Sequence, residues 1–260
     1  MSMAVSACNP CCQESPMTDD KTVYLRPPLN GTGIGDYTLH DFAAKWMMQQ
    51  DDIAEVRKYA AVNELLKAAE DDRPRVVMLG DSITEFWEFP AAPGVSLINR
   101  GIAGQNSSQM LLRFEDDVVA LSPFAVVLLC GTNDLRAYVG TPASVSASAL
   151  ARISRNVRAM ADIAKANGIR VLLCALPPVG SDSERVSRSS EGIRSVNFWL
   201  EKFALERGYP FVDFHTALAD LNGFLPEKLG EDGVHPNKQG YGQMWPALKS
   251  VIATLLQNHS

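Results

Sequence analysis

Five short apolar runs, RVVMLG (75–80), VSLINRG (95–101), FAVVLLCG (124–131), IRVLLCAL (169–176) and YPFVDF (209–214), alternate along the chain with helical patterns near 107–121, 144–167, 191–207 and 239–256. This alternation restricts the fold more than any other feature. Each run ends in turn residues, as strands do. Strands this apolar suit burial on both faces, which a parallel sheet covered by helices provides. The pattern predicts a single doubly wound α/β domain over residues 73–260.

The preceding 72 residues read differently. Residues 1–37 are rich in Pro, Gly, Thr and Asn and read as an irregular, partly disordered leader. Its GTGIGD (31–36) follows no strand, so it is a loop and not a dinucleotide-binding turn. Over 38–72 the apolar positions Phe42, Trp46, Ile53, Val56, Ala60 and Leu66 recur at helical spacing, with a break at Asp51 and Asp52. They predict a core-facing helical extension packed on the domain.

Composition excludes several classes of partner. A net charge of −6 without a basic stripe argues against nucleic acid and anionic membrane. No apolar run approaches the ~20 residues of a membrane-spanning helix. The N-terminus has neither the basic nor the apolar region of a signal peptide, which as printed implies a cytoplasmic protein. VSAC (5–8) is the alternative: it resembles the end of a lipoprotein signal, which would make the protein periplasmic or lipid-anchored at Cys8. Cys8, Cys11 and Cys12 lack the second Cys or His pair of a zinc site, and Cys130 and Cys174 end apolar runs as small hydrophobes. No metal or cofactor is implied, and oligomeric state is open.

In open α/β sheets ligands sit beyond the carboxyl ends of the strands. Gly80, Asp81 and Ser82 follow the first run, Gly101 to Gln105 the second, and Gly131 to Asp134 the third. EDGVHPNKQG, with Asp232 and His235, precedes the last helix. Each turn has an ordinary explanation by itself. Ser82 could be a helix N-cap, Asn133 and Asp134 another cap, and Asp81 a loop organiser. Together they hold the parts of acyl transfer. Ser82 is a nucleophile, His235 a base and Asp232 the carboxylate that fixes the base's tautomer. Donors for an oxyanion are available from the Ser82 and Gly104 N–H groups and the Asn133 amide.

In order and context, GDSIT, the Gly of GIAGQ, GTND and DGVHP resemble the four blocks of the SGNH, or GDSL, hydrolases across residues 76–245. That resemblance implies Ser82 as nucleophile, Gly104 and Asn133 completing the oxyanion hole, and Asp232 and His235 finishing the triad. Ile83 stands where the family pattern has Leu. Residues before Arg75 lie outside the resemblance.

Other residues rank below these. Asp213 competes for the role of triad acid, but Asp232 lies three residues from His235 and fits the block. His215 reads as a strand-end residue, and His40 and His259 lack partners in the sequence. Asp81, Phe86, Trp87, Arg136 and Tyr138 are candidate substrate-binding residues, with Phe89 beside the aromatic pair. The expected protein is a three-layer α/β/α sandwich with a mostly parallel, flavodoxin-like five-stranded sheet. It is expected to hydrolyse short-chain, acetyl-like or carbohydrate-linked esters, its partner being a small-molecule or glycan ester. A lysophospholipase or acyl thioesterase is the alternative enzyme, and a catalytically silent binder of acylated glycans the alternative of another class.

Overall fold

A computed structural model describes residues 51–92, 94–136, 145–182 and 188–257, without the side chains of 145 and 146. These residues belong to one compact unit, 46–260. The leader, Phe42, Trp46, Tyr138, His40 and His259 lie outside the described residues.

Five strands form the sheet: β1 (Arg75–Gly80), β2 (Ser96–Gly101), β3 (Ala125–Leu129), β4 (Arg170–Cys174) and β5 (Phe211–Val212). All neighbours are parallel, in the order β2-β1-β3-β4-β5. All of β3 is buried, as is β1 after Arg75, so the apolar runs mark strands covered on both faces. The helices are α1 (Arg57–Ala68), α2 (Ser82–Glu85), α3 (Ser107–Leu112), α4 (Phe114–Asp117), α5 (Val145–Ala166), α6 (Ser190–Arg207), α7 (Phe214–Leu218) and α8 (Lys238–Gln257). Helix α5 packs beside α3 and α6, and α8 packs beside α7 and against β5. Among the described residues no helix is long and apolar enough to cross a membrane. Cys130 and Cys174 are free thiols buried in the core.

Three expectations are corrected. The helix expected over 107–121 is broken into α3, α4 and a 3-10 turn, because Arg113 sits between the first two with its side chain fully buried. Its guanidinium bonds the Gly80 carbonyl, Gln105 Oε1 and Asp117, a tertiary demand outweighing helical continuity. The fifth strand is two residues long, because Asp213 turns the chain into α7 by accepting from the Thr216 N–H.

Helix α1 and the segment just before it reverse the expected burial. Ile53 is 52% exposed and Ala60 is exposed, while Asn63 is the buried residue of the helix. Leu66 alone of the expected α1 positions packs against the core cluster. The helix docks through polar groups: Tyr59 Oη donates to the Gly101 carbonyl at 2.6 Å, and Asn63 Nδ2 to Asp117 Oδ1 at 2.8 Å. Arg100 donates to Asn63 Oδ1, and Lys58 pairs with Glu85. Apolar periodicity misreads such a helix, because its buried stripe is held by hydrogen bonds.

Candidate active site

The strand order reverses direction at β1, with β2 on one side and β3 on the other. Gly80 is in register with Gly101 of β2 and Leu129 of β3. The segments leaving three adjacent strands therefore emerge together, at the switch point where such sheets bind ligands. Two glycines permit the close packing there. A Cβ on Gly80 would overlap Thr84 Oγ1, and one on Gly101 would overlap the Glu85 backbone.

Asp81, not Ser82, is the N-cap of α2, with its Oδ1 accepting from the Ile83 N–H at 2.9 Å. Ser82 is therefore the first residue of the helix, and its hydroxyl is free for another partner. That partner is His235: Ser82 Oγ lies 2.8 Å from its Nε2. His235 Nδ1 is 2.7 Å from Asp232 Oδ2. A proton on Nδ1 satisfies the carboxylate, leaving the Nε2 lone pair to accept the Ser82 O–H. Ser82 is 8% exposed, so the pair is reachable but shielded.

The turn carrying His235 is built by Asp232 itself. Its Oδ1 accepts from the backbone N–H groups of Val234 and His235, and Gly233 supplies the positive φ of 79° that the turn requires. Burial alone would raise the Asp232 carboxyl, but bonds from the His235 ring and backbone and from Val234 hold it well below the usual carboxylate range. Tyr241 Oη donates to the Ile83 carbonyl at 2.8 Å, tying α8 to the serine-bearing helix.

Gly104 lies in the loop after β2 with φ of 82°. Among the described residues neither its N–H nor that of Ser82 is spent on a protein acceptor. Asn133 follows β3, and its Nδ2 donates to the Gln105 carbonyl at 3.0 Å and faces Asp81 Oδ2 at 3.4 Å. Among the described residues Asn133 caps no helix. Asp134 accepts from the N–H and hydroxyl of Ser107, so it anchors α3, whose N-cap is Asn106. Burial pushes the Asp81 carboxyl up to about 6.

The candidate substrate-binding residues separate. Phe86 is half-buried, with its ring centroid 5.5 Å from that of His235. Trp87 is a correction: it is 3% exposed and packs on Phe89, Phe214 and Tyr241, so it is a core residue and not a pocket wall. Arg136 is exposed and is joined to Arg188 by a backbone bridge. Asp213 is spent on capping α7, and His215 lies half-buried within that helix. Sequence reasoning missed Arg188, whose Nη2 reaches Asn133 Oδ1 at 2.5 Å. Its segment, SDSERVSRSS, has no motif that singles it out. Among the described residues no three His, Cys, Asp or Glu side chains group as metal ligands.

Residues 78–243 match the GDSL-like lipase/acylhydrolase family. Among solved structures, a GDSL-like lipase from Bacteroides thetaiotaomicron VPI-5482 is 34% identical, covering 77% of this chain and 98% of that one, with a TM-score of 0.66. A candidate acylhydrolase from Bacteroides fragilis NCTC 9343 is 33% identical, covering 78% and 98%, also at 0.66. An acetylxylan esterase from Geobacillus stearothermophilus, a catalytic mutant, is 20% identical over 69% of this chain and 94% of that one at 0.57, a likeness of fold alone. No curated protein matches the chain.

Proposed function

Because the chain belongs to the GDSL-like lipase/acylhydrolase family, and is thus an ester hydrolase, we propose that it works through an acyl-enzyme on Ser82 and prefers short acyl groups on polar leaving groups. The observation that carries this reading is the unbroken path from Ser82 Oγ through His235 to Asp232, at 2.8 and 2.7 Å. Ser82 Oγ attacks the ester carbonyl while His235 Nε2 takes its proton. The negative oxygen of the tetrahedral intermediate then accepts from the Ser82 and Gly104 N–H groups and the Asn133 amide. His235 returns the proton to the departing alkoxide, leaving an acyl-serine. Water, deprotonated by the same imidazole, releases the acid and restores Ser82. Asp232 keeps the imidazole in the correct tautomer and stabilises its protonated form.

Two features support the substrate class. Ile83, Thr84 and Trp87 fill the core behind Ser82, so an acyl group has the Phe86 ring to pack on rather than a channel beneath α2. Asp232 also lines a cavity of about 360 Å³, in which Asp182, Asp220, Glu227 and Glu231 outnumber the apolar Phe224 and Leu225. Such a polar lining suits a hydroxyl-rich leaving group, as in an acylated sugar, better than an apolar one.

A fluorophosphonate should label Ser82, and Ser82→Ala should abolish both labelling and turnover. Across nitrophenyl esters measured below their micelle concentrations, kcat/KM should peak between acetyl and butyryl and fall by octanoyl. A steady rise to decanoyl would favour a lysophospholipase, and no turnover on any ester would leave only a binder.

A further inference from the structure

The Asn133 side chain lies between unlike neighbours. Its Nδ2 points at two acceptors, the Gln105 carbonyl and Asp81 Oδ2, and its Oδ1 accepts from Arg188 Nη2 at 2.5 Å. The two ends of a carboxamide have nearly the same shape and opposite hydrogen-bonding character. A half-turn of the group would set its oxygen against two acceptors and its NH2 against a guanidinium, which has only donors. Arg188 thus opposes the flipped amide from the side the acceptors do not reach.

Arg188 is itself held in place. Its Nε bonds the Thr132 carbonyl at 3.3 Å, and its backbone pairs with Arg136. Burial and the nearby Arg136 charge disfavour its cation, and the carboxylates of Asp81 and Asp232 partly offset them. An oxyanion donor is effective only if it is aimed before charge develops, since reorientation during the reaction forfeits the gain.

We infer that Arg188 is a positioning residue for the hydrolysis proposed above, locking the Asn133 amide with its NH2 away from the guanidinium, where the hydrogen that Asp81 Oδ2 holds only loosely at 3.4 Å is the one available to the oxyanion. The inference rests on Asn133 being an oxyanion donor. Arg188 does not contact the reacting oxygen; it acts through Asn133. Three other roles differ in what they would change. A guanidinium that binds an anionic part of the substrate acts on KM. One that stabilises the oxyanion by its own charge acts whether or not Asn133 is present. A purely structural tie between loops acts on the fraction of folded enzyme.

The test is a double-mutant cycle on nitrophenyl butyrate with Arg188→Met, Arg188→Lys, Asn133→Ala and the double variant Arg188→Met/Asn133→Ala. Turnover is normalised to the sites titrated by a fluorophosphonate, so misfolded protein is not counted. Arg188→Met should lower kcat by about 10- to 100-fold with KM little changed, a smaller loss than the roughly 100-fold or more of Asn133→Ala. Arg188→Lys, which keeps the charge but loses the planar fork, should recover only a minor part of that loss. In the Asn133→Ala background, Arg188→Met should cost no more than about threefold further. An equal loss in both backgrounds, a raised KM with intact kcat, or full activity of Arg188→Met per titrated site would each overturn the inference. If Asn133→Ala itself turns over at the wild-type rate, the reading of Asn133 fails first, and Arg188 loses its target with it.

Discussion

Asp81 illustrates how this site departs from what stability alone would favour. Its carboxyl is buried, and burial raises its pKa from the ordinary 3.8 to about 6. The Ile83 N–H bond and the charges of His235 and Arg188 pull the other way, while Asp134 adds to the rise. In the unfolded chain Asp81 loses its proton near pH 3.8, whereas the folded protein keeps it until about pH 6. Folding therefore weakens as pH rises through that window, and the deficit is fully present above the folded pKa. A shift of about two units corresponds to about 3 kcal/mol at its limit, of which about 2 kcal/mol develops between pH 4 and 7.

Asp81→Asn removes the titration and keeps an oxygen for the Ile83 N–H. Its new NH2 faces Asn133 Nδ2, a donor against a donor, but that cost is the same at every pH and cancels from the comparison. Urea unfolding of both proteins from pH 4 to 7 should show the variant gaining about 2 kcal/mol on the wild type as pH rises. Groups that do not couple to Asp81, such as Asp232 with its lowered carboxyl and His215, whose pKa burial lowers, cancel from the comparison. A gap that stays flat or narrows with rising pH would refute the claim that burial destabilises the Asp81 carboxylate.

Three further outcomes are expected. Asp232→Ala should reduce kcat while leaving a folded enzyme, and His235→Ala should reduce it further, since in the proposed mechanism the imidazole moves the proton and Asp232 only supports it. Asp213→Ala should cost about 1 kcal/mol in urea unfolding through loss of the α7 cap, with kcat unchanged; an inactive but folded Asp213→Ala would reverse the assignment of the acid. Arg113→Met should destabilise by about 3–5 kcal/mol, since it takes the guanidinium from the buried Asp117 Oδ2 and from Gln105 Oε1, and a urea midpoint within error of wild type would show that the network contributes nothing.

Much of the candidate site is legible in the sequence because its residues lie in short turns after strong strands. A run such as RVVMLG announces a buried strand, and the turn after it faces the ligand edge whatever the helices do. Asp232 and His235 were readable as a pair because three residues separate them, so one turn builds their contact. Ser82 could be read two ways, as nucleophile or N-cap, and only the structure shows Asp81 taking the cap.

What the sequence determined alone was therefore local or periodic: the five strands, the order of the turns, and the pairing of Asp232 with His235. The tertiary structure decided whatever depends on partners far apart in the chain. Ser82 and His235 meet across 153 positions, and Asn133 and Arg188 across 55. Trp87 went to the core because Phe214 and Tyr241 come to meet it. The helix expected over 107–121 broke where Arg113 is drawn to Gly80 and Gln105, and α1 buried Asn63 because Arg100 and Asp117 satisfy it there. Periodicity reports which face is apolar. Whether a polar side chain can be buried depends on partners supplied by distant segments, and only the folded chain assembles them.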